Sequence, residues 1–483
     1  MSPHPNQSHT NPTDNNPAGS SEPTHTPTHQ NILFVLSGSR GDIQPAISLG
    51  LELQNRGHTV TFLCTPSLTT FARAAGIQSV FPAGINIGEM TDRARSTLAS
   101  KNPIAITRLA AHFLKHSVDD LHQDLITYYF SDNSAQGSSD MDHSGLTQPT
   151  LLIVNPMCQR QGTSLAEKWN IPLVVLRYAP ISHNSYSGWP HTLTRKAPKW
   201  IKKKSWHIQE WFDFLMYGHW ENAFRRRLGL SSRFHPFTHY LRDHSVPQLQ
   251  LCDPKVVPDI AAEWAGTNKI FIGYLDLPAS ARHRLDEPDT LPADLDHWIS
   301  SGSAPLFVSF GSMPVSHPDR LVNTIVSVAR SRNLRVLFSG FDGFTNETND
   351  EPQATSPVGN QSHGKADDVY FTGAVNQTAI LPRCCAAVHH GGAGTTAASL
   401  RSRNPTMIYA FGFEQPFWAS CIENLGVGVG SSLSHLTTEH FADDLDRALS
   451  SKVREAAHAF AADMTSPDQA LSTAVRLVEN EAG

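Results

Sequence analysis

The chain has 483 residues, more than one ordinary hydrophobic core accommodates, so two large domains are expected. Hydrophobic residues make up 39% and charged residues 17%, a composition typical of a globular enzyme and not of a disordered or membrane-embedded chain. The formal net charge of -6 argues against a nucleic-acid partner, because phosphate backbones need basic surfaces.

The beginning of the chain is polar. Residues 1–30 carry almost no apolar side chains, so we expect a disordered tail that lacks the apolar segment of a signal peptide. No apolar run elsewhere is long enough to cross a bilayer. The six cysteines form no Cys-x-x-Cys pair and most lie in apolar runs, so reduced, buried thiols in a cytoplasmic protein are expected, and no zinc site.

From Asn31 onwards, apolar strands alternate with helical patterns. ILFVLSG is typical of a buried parallel strand, DIQPAISLGLELQNRGH of the helix after it, and TVTFLCTP of the next strand. This alternation predicts a parallel sheet flanked by helices over residues 31–275. The polar, turn-rich stretch at 131–148 is predicted to be a surface insertion.

A second series of strands and helices begins at APLFVSFGSMP and predicts another doubly wound domain over 305–483, ending in amphipathic helices. Residues 276–304 are predicted to connect the two domains. Ligands of open parallel sheets bind at the carboxyl ends of the strands, so two such domains create a cleft. GSRGD, FGSMP and HHGGAGTT all follow predicted strands directly, and we expect all three at this cleft.

The stretch VHHGGAGTTAASL, from Val388 to Leu400, lies between a predicted strand and a predicted helix. Glycines allow a sharp turn there, and the helix start offers free N–H groups and a partial positive charge, which favours a diphosphate. His389 can donate to a phosphate oxygen, whereas the alternative is a turn whose glycines serve packing only. A metal site is disfavoured, because His389 and His390 are neighbours on a strand and point to opposite faces.

Two long stretches carry a family resemblance. HHGGAGTTAASL followed by FGFEQPFWASCIENLGVGVG resembles the nucleotide-sugar motif of the family of sterol glucosyltransferases and macrolide and glycopeptide antibiotic glycosyltransferases. LSGSRGDIQPAISLGLELQNRGHTVTF resembles that family's first strand and helix, and ENAFRRRLGL and IGYLDLP agree in order. The resemblance implies the α/β GT-B fold, in which two doubly wound Rossmann-like domains face a central cleft. The N-terminal domain would bind the acceptor and the C-terminal domain the nucleotide sugar.

The same resemblance implies a set of residues that hold the diphosphate. They are His389 and the backbone of Gly391, Gly392, Gly394 and Thr395. No carboxylate cluster suggests a metal-bridged diphosphate, so metal-independent, inverting transfer by direct displacement is expected, with donors and helix N-termini stabilising the leaving group. No cofactor is expected beyond the co-substrate, a UDP-sugar or a dTDP-sugar.

Further nucleotide-sugar contacts are implied in neighbouring loops. Ser312, at the tip of FGSMP, would hydrogen-bond a phosphate, and Val375 lies in the family's base-binding turn. Glu414 and Gln415 stand where the family usually has Asp-Gln, which binds sugar hydroxyls. Ala410 replaces a proline of the usual pattern. The longer Glu414 side chain leaves the sugar open, with UDP-glucose as the donor that the resemblance favours.

Asp42, in GSRGD, is the catalytic candidate. Transfer to a hydroxyl needs a base that takes its proton, and the family's antibiotic glycosyltransferases place an acid here for that purpose. The alternative is a cap on the following helix, for which aspartate is well suited. Arg40 has two possible roles, contact with phosphates or pairing with a carboxylate.

Residues 195–230 combine lysines with many aromatic side chains. In the family this region lines or covers the acceptor pocket, so a small apolar acceptor is expected: a sterol, terpenoid, polyketide or lipid, as in secondary-metabolite or glycolipid biosynthesis. One alternative is that the aromatics only pack the domain. Another is a weak peripheral contact with an anionic membrane through Lys202, Lys203 and Lys204.

Two other functions fit part of the pattern. A UDP-sugar 2-epimerase shares the two-domain fold but has no acceptor pocket, and the aromatic segment and EQPFW argue against it. A non-catalytic sugar-nucleotide-binding protein would not need both Asp42 and the phosphate loop. Nucleotide-sugar transfer to a hydroxyl is therefore the leading prediction.

Overall fold

A computed structural model of the chain contains two β-sheets with helices on both faces, the expected α/β architecture. The structure describes residues 29–86, 103–130, 146–311, 317–341, 365–366 and 368–482. Nearly all of the predicted tail, and most of both polar insertions, lie outside these residues. In the part of the chain described, no helix is both long and apolar enough to span a bilayer.

The first sheet has seven strands in the order β3-β2-β1-β4-β5-β6-β7, and every neighbouring pair is parallel. Its strands are β1 Asn31–Leu36, β2 Thr59–Cys64, β3 Ser79–Pro82, β4 Leu151–Val154, β5 Leu173–Arg177, β6 Gln248–Gln250 and β7 Lys269–Phe271. The helices up to the second sheet are α1 Arg40–Asn55, α2 Thr69–Ala75, α3 Pro103–Phe130, α4 Gln159–Trp169, α5 His191–Thr194, α6 Lys199–Arg227, α7 Thr238–Asp243, α8 Pro258–Trp264, α9 Ala279–Arg284 and α10 Ala293–Ser300.

The second sheet has the order β10-β11-β9-β8-β12-β13-β14, with six parallel strands and one antiparallel edge strand, β10. Its strands are β8 Leu306–Ser309, β9 Val336–Ser339, β10 Lys365–Ala366, β11 Val369–Thr372, β12 Ala386–His389, β13 Thr406–Ala410 and β14 Gly428–Ser432. The remaining helices are α11 Pro318–Arg330, α12 Gln377–Ile380, α13 Ala393–Arg401, α14 Gln415–Leu425, α15 Thr438–Ala448, α16 Ser451–Ala462 and α17 Pro467–Ala482.

The central strand β1 shows why the sheets are parallel and covered on both faces. Ile32 and Phe34 lie in one buried cluster, whereas Leu33 and Val35 lie in another on the opposite face. Alternate residues of a strand point to opposite faces, so a continuous apolar run fits a strand that helices cover on both sides. The sequence pattern of this segment therefore determines its place in the middle of the sheet.

The last helix departs from the predicted domain boundary. Ala470, Ala474, Val475 and Val478 of α17 lie in the same buried cluster as Phe34 of β1. The helix thus completes the core of the first domain, although the second domain was expected to extend through residue 483. An amphipathic pattern predicts a helix with one buried face, but it does not indicate which sheet that face covers.

The predicted connection at 276–304 is shared between the domains. In α9, Arg284 donates from Nε to the Ala75 carbonyl at the end of α2, at 3.1 Å. In α10, Leu295 and Trp298 belong to a buried cluster of the second domain. The first part of this segment is therefore an extension of the first domain, and the second part an extension of the second.

The two domains pack on each other through an apolar cluster to which both contribute. Ile260 and Trp264 of α8 meet Leu400 of α13 and Trp418 of α14 in this cluster. An ion pair between Arg401 of α13 and Asp276 lies beside it. This packing fixes which loops of the two sheets face one another.

The chain crosses from the first domain to the second between α9 and α10, and it returns to the first domain near Thr465. Gly273 has φ +91°, and a Cβ built on it would lie 3.0 Å from Cγ2 of Thr465. The Thr465 N–H also donates to Asp253 Oδ2 at 2.6 Å. The returning segment therefore runs beside the residues that follow β7 in the first domain.

Candidate active site

The loop after β1 shapes the first side of the cleft. Gly38 has φ +129°, and a Cβ on it would lie 2.4 Å from Oδ2 of Asp42, so the loop has no room for a side chain at this position. Ser39 follows in extended conformation and caps α1. Asp42 then lies in the first turn of α1, just past the carboxyl end of the strand.

The carboxylate of Asp42 takes part in capping that helix. Its Oδ2 accepts hydrogen bonds from the Ser39 N–H at 2.7 Å and from the Ser39 hydroxyl at 2.9 Å. Both bonds end on the same oxygen, so the cap does not use Oδ1. The capping interpretation is therefore realised in the structure, and it leaves an oxygen for a second role.

Two buried side chains hold this loop from below. The amide of Asn155, just after β4, donates to the Ser37 carbonyl at 2.5 Å and accepts from the Ser37 N–H at 3.4 Å. The hydroxyl of Tyr178, just after β5, donates to the backbone carbonyl of Asp42. The position of Asp42 is thus fixed by the ends of three neighbouring strands.

Asp42 of the first domain and Glu414 of the second influence each other electrostatically. Burial raises the pKa of the Asp42 carboxyl, although the hydrogen bonds from Ser39 oppose this. Burial also raises the pKa of Glu414, and the charge of Asp42 raises it further. The charge of a carboxylate of the first domain therefore reaches the segment of the second domain that the family resemblance assigns to the sugar.

The glycine-rich loop after β12 leads into α13 as predicted from the sequence. Gly392 is the N-cap of this helix, and the carbonyl of Gly392 accepts from the N–H and the hydroxyl of Thr396, each at 2.9 Å. A helix start leaves the N–H groups of Ala393, Gly394 and Thr395 without a helical carbonyl. These groups and the helix dipole form a suitable cradle for an anion.

His389 does not lie on the open side of this loop. Its side chain is completely buried, and its Nδ1 accepts a hydrogen bond from the Gly391 N–H at 3.0 Å. Its Nε2 is also buried and has no hydrogen-bond partner among the described residues. Burial, and to a lesser extent His390, lowers the pKa of His389 to about 3, so the ring is neutral and its proton sits on Nε2.

His390 is the residue that the sequence analysis passed over. Its half-buried ring stands between two glycine loops: a Cβ on Gly311 would lie 3.1 Å from its Cε1, and a Cβ on Gly392 2.6 Å from its Nε2. It therefore bridges the loop after β8 and the start of α13. Neighbouring strand residues alternate between faces, so the same pattern that buries His389 turns His390 to the opposite side.

The glycines of this loop differ in what they require. Gly391 has φ +94°, and a Cβ on it would lie 2.7 Å from Cγ2 of Ile408, so packing alone explains this glycine. Packing with His390 likewise explains Gly392. Gly394 is exposed, and a Cβ there would meet nothing within 4 Å. Packing therefore leaves Gly394 unexplained, whereas the approach of a ligand to the backbone would explain it.

Gln415 has a structural task. Its buried side-chain carbonyl accepts from the N–H of Phe411 at 2.8 Å and of Gly412 at 3.3 Å, and so holds the turn between β13 and α14. The half-buried side chain of Glu414 stands at the start of that helix. Of the two residues that the resemblance assigns to sugar hydroxyls, Gln415 thus uses its side-chain oxygen to hold the turn, whereas the Glu414 carboxylate accepts from its own backbone N–H.

The base-binding turn is anchored to the connecting segment. Val375 is half-buried against the apolar cluster of α10. The next residue, Asn376, accepts on Oδ1 from Nη1 of Arg282 and from the Thr378 N–H, each at 3.1 Å. Ser312, the expected phosphate contact from the facing loop, lies outside the described residues.

Arg40 pairs with a carboxylate, one of its two expected roles. Its guanidinium contacts both oxygens of Glu287, at 2.6 and 2.5 Å, and its Nε donates to Gln44 at 2.9 Å. Glu287 lies in the connecting segment after α9. The start of α1 is therefore tied to the segment that leads into the second domain.

Helix α6 carries an unusual set of exposed apolar side chains and packs near the carboxyl ends of the first sheet's strands. Asp213 of this helix pairs at 3.1 Å with Arg160, which lies at the start of α4 beside the carboxyl end of β4. Exposed large apolar side chains on α6 are Trp200, Ile201, Ile208, Trp211, Phe212, Leu215 and Met216. Packing accounts for Trp206, which is buried and donates to the Ser187 carbonyl at 2.8 Å, but not for the exposed set.

Comparison with known proteins is consistent with this architecture. Residues 32–124 match the glycosyltransferase family 28 N-terminal domain, and residues 360–479 match the C-terminal domain of the erythromycin biosynthesis protein CIII-like family. An uncharacterized glycosyltransferase of Mycobacterium leprae is 30% identical over 458 residues, which cover 93% of this chain and 96% of that protein. A sterol 3-beta-glucosyltransferase of Arabidopsis thaliana is 26% identical over 90% of this chain and 63% of its own length.

Solved structures agree on the fold. The glycotransferase of kitacinnamycin matches with a TM-score of 0.61 at 17% identity, over 94% of this chain and all of the other. A spinosyn rhamnosyltransferase complexed with thymidine diphosphate matches with a TM-score of 0.54 at 17% identity, over 92% of this chain and all of the other. The chain therefore belongs to the GT-B glycosyltransferases of the family 28 and erythromycin CIII-like type, related to sterol and antibiotic glycosyltransferases, and is a nucleotide-sugar glycosyltransferase.

Proposed function

We propose that the enzyme transfers a hexose, with inversion, from UDP-glucose to a hydroxyl of a small apolar acceptor. The observation that carries this proposal is Asp42 just past the carboxyl end of β1, with Oδ2 bonded to Ser39 and Oδ1 not used by the cap; its charge reaches Glu414 of the donor domain. A base on the acceptor domain and a sugar-binding carboxylate on the donor domain would then stand on either side of the anomeric carbon. Inverting displacement needs this arrangement, because the attacking oxygen enters opposite the leaving diphosphate.

The proposed reaction needs one proton acceptor and one stabilised leaving group. Asp42 would take the acceptor's hydroxyl proton on Oδ1 while Oδ2 stays bonded to Ser39. The acceptor oxygen bonds to C1 of the sugar as the bond from C1 to the phosphate oxygen breaks. The free N–H groups at the start of α13 would hold the charge that develops on the diphosphate, with no group that has to reorganise during the step.

The diphosphate contact that we propose includes His390 together with the helix start. His390 stands between two glycine loops, a position from which its ring can reach an anion held there. The buried His389 would support the loop by accepting from the Gly391 N–H. The backbone of Gly392, Gly394 and Thr395 would keep the role that the resemblance implies, whereas the Gly391 N–H is already bonded to His389.

The apolar nature of the acceptor is supported by α6. Exposed Trp200, Trp211, Phe212 and Leu215 would gain free energy if an apolar acceptor covered them, at roughly 25 cal/mol per Å². A weak peripheral contact with an anionic membrane remains a second use of the same helix. Pelleting of the protein with anionic liposomes at low salt tests it, and no pelleting would remove it.

A donor and acceptor screen tests the proposal. Purified protein is incubated with UDP- and dTDP-sugars, and thermal stabilisation is measured beside release of nucleoside diphosphate in a mixed pool of sterols, terpenoids and polyketides. Stabilisation by UDP-glucose with release that depends on an apolar acceptor is the expected result. Stabilisation without release from any acceptor would contradict it and favour an epimerase or a binding protein, which analysis of the recovered sugar nucleotide separates.

A further inference from the structure

The turn between β13 and α14 places two aromatic side chains in solvent. Phe411 is 46% exposed and Phe413 is 85% exposed. Gln415 fixes the turn by accepting from the backbone N–H groups of Phe411 and Gly412, so this exposure belongs to an ordered turn. Phe413 directly precedes the sugar-binding candidate Glu414, and Phe411 lies three residues before it.

Phe413 is unfavourable at this position in two ways. Its φ is +57°, in the left-handed region that side chains with a Cβ adopt only at a cost, which a glycine would avoid. Its phenyl ring is almost fully hydrated and so gains little free energy from burial in the protein alone. Strained residues of this kind gather at functional sites.

The surroundings of Phe413 indicate what could cover the ring. Phe413 directly precedes Glu414, whose pKa is raised first by burial and then by the charge of Asp42. On the other domain, Met157 is 41% exposed and lies two residues after Asn155, whose amide donates to the Ser37 carbonyl in the loop that leads to Asp42. Exposed apolar side chains thus lie next to Glu414 on one domain and near the Asp42 loop on the other.

We propose that Phe413, supported by Phe411, is an acceptor-contacting residue supplied by the donor domain. The ring would stack on the apolar body of the acceptor and hold the reacting hydroxyl between Asp42 and the sugar. This inference rests on the proposed function, because it requires an apolar acceptor. It adds a specificity-determining contact from the second domain to those expected from the first.

Phe413→Gly tests the contact without disturbing the turn, since glycine accepts a φ of +57° more readily than phenylalanine does. We expect a rise in the acceptor KM on the order of tenfold, as fits the loss of one aromatic contact. The donor KM should stay unchanged, and the melting temperature should stay unchanged or rise. Phe413→Tyr keeps the ring and should restore most of the acceptor affinity.

Phe234→Gly is the matched control. Phe234 is 80% exposed. The residue before it, Arg233, pairs with Glu167 near the C-terminal end of α4, away from the Asp42 loop. This control should leave both KM values unchanged. An unchanged acceptor KM in Phe413→Gly would overturn the contact while the wild-type enzyme still transfers to apolar acceptors. Wild-type enzyme that transfers to no apolar acceptor would overturn the proposed function, and this inference with it.

Discussion

At the scale of single residues, Asp42 combines a cap with a proposed base. Capping occupies one carboxylate oxygen, and the loop below is held by Asn155 and Tyr178. The same burial that raises its pKa makes the ionised form costly to the fold. The ionised Asp42 carboxylate should therefore lower the stability of the fold while it promotes catalysis.

Asp42→Asn should separate these two effects. The amide oxygen still accepts from Ser39, but it takes no proton, so transfer should fall on the order of 10²–10⁴-fold. Because the folded-state pKa of Asp42 is raised, its stabilising contribution is present below the unfolded pKa and is lost as pH rises through the folded pKa. The melting temperature of the variant relative to wild type should thus be higher at pH 7 than at pH 4. Transfer above a tenth of wild type would exclude Asp42 as the base.

The two histidines should respond differently to substitution by alanine. His389→Ala removes a buried ring and the acceptor for the Gly391 N–H, so the melting temperature should fall clearly. His390→Ala should weaken UDP binding with a smaller loss of stability. Calorimetric titration with UDP and thermal unfolding of both variants distinguish the roles, and weaker UDP binding in His389→Ala alone would reverse them.

The pH dependence of UDP binding follows from the same rings. Burial lowers the pKa of His389 to about 3 and that of His390 to about 4. Both rings are therefore neutral above pH 5, and neither adds a titrating positive charge to the UDP site. Between pH 6 and 8 the two histidines should therefore cause no change in the UDP Kd. The ionisation of UDP itself should be the source of any pH dependence. A loss of binding that titrates near pH 6.5 and disappears in His390→Ala would contradict this.

At the scale of elements, the loop into α13 owes its shape to two different demands on glycine. Gly391 needs a positive φ and a missing Cβ, whereas Gly394 meets open space. Gly391→Ala should cost about 1–3 kcal/mol of unfolding free energy through strain and overpacking. Gly394→Ala should leave stability unchanged or slightly higher, because alanine is the better helix former, but raise the donor KM. Urea unfolding measures the stability of the two variants, and donor kinetics measure their donor KM. Equal losses of stability in Gly391→Ala and Gly394→Ala would contradict the different roles of these glycines.

At the scale of the whole molecule, α17 makes the first domain depend on the end of the chain. Ala474→Asp places a charge in the core beside β1 and should lower the melting temperature by several degrees. Ser472→Asp, on the exposed face of the same helix, is the control and should have little effect. Hydrogen exchange should show lost protection in β1 and β2 for Ala474→Asp. Loss confined to the second domain would contradict the assignment.

The fold class was predictable because strand and helix periodicity is a local property. Apolar runs such as Asn31–Leu36 are buried on both faces, and the glycine loops follow strands as expected. Which side chains of the glycine loops face the cleft and which are buried was less predictable. His389 and His390 differ only in strand parity, and the packing of Gln415 into its own turn has no signature in the sequence.

The two places where the chain crosses between the domains have a consequence for how the cleft can open. Near the first crossing Glu287 is bonded to Arg40, and near the second Thr465 is bonded to Asp253, so each crossing is anchored to the first domain. Two anchored points define a line. Domain movement should therefore favour rotation about the line through these anchors, which changes the distance between Asp42 and Glu414.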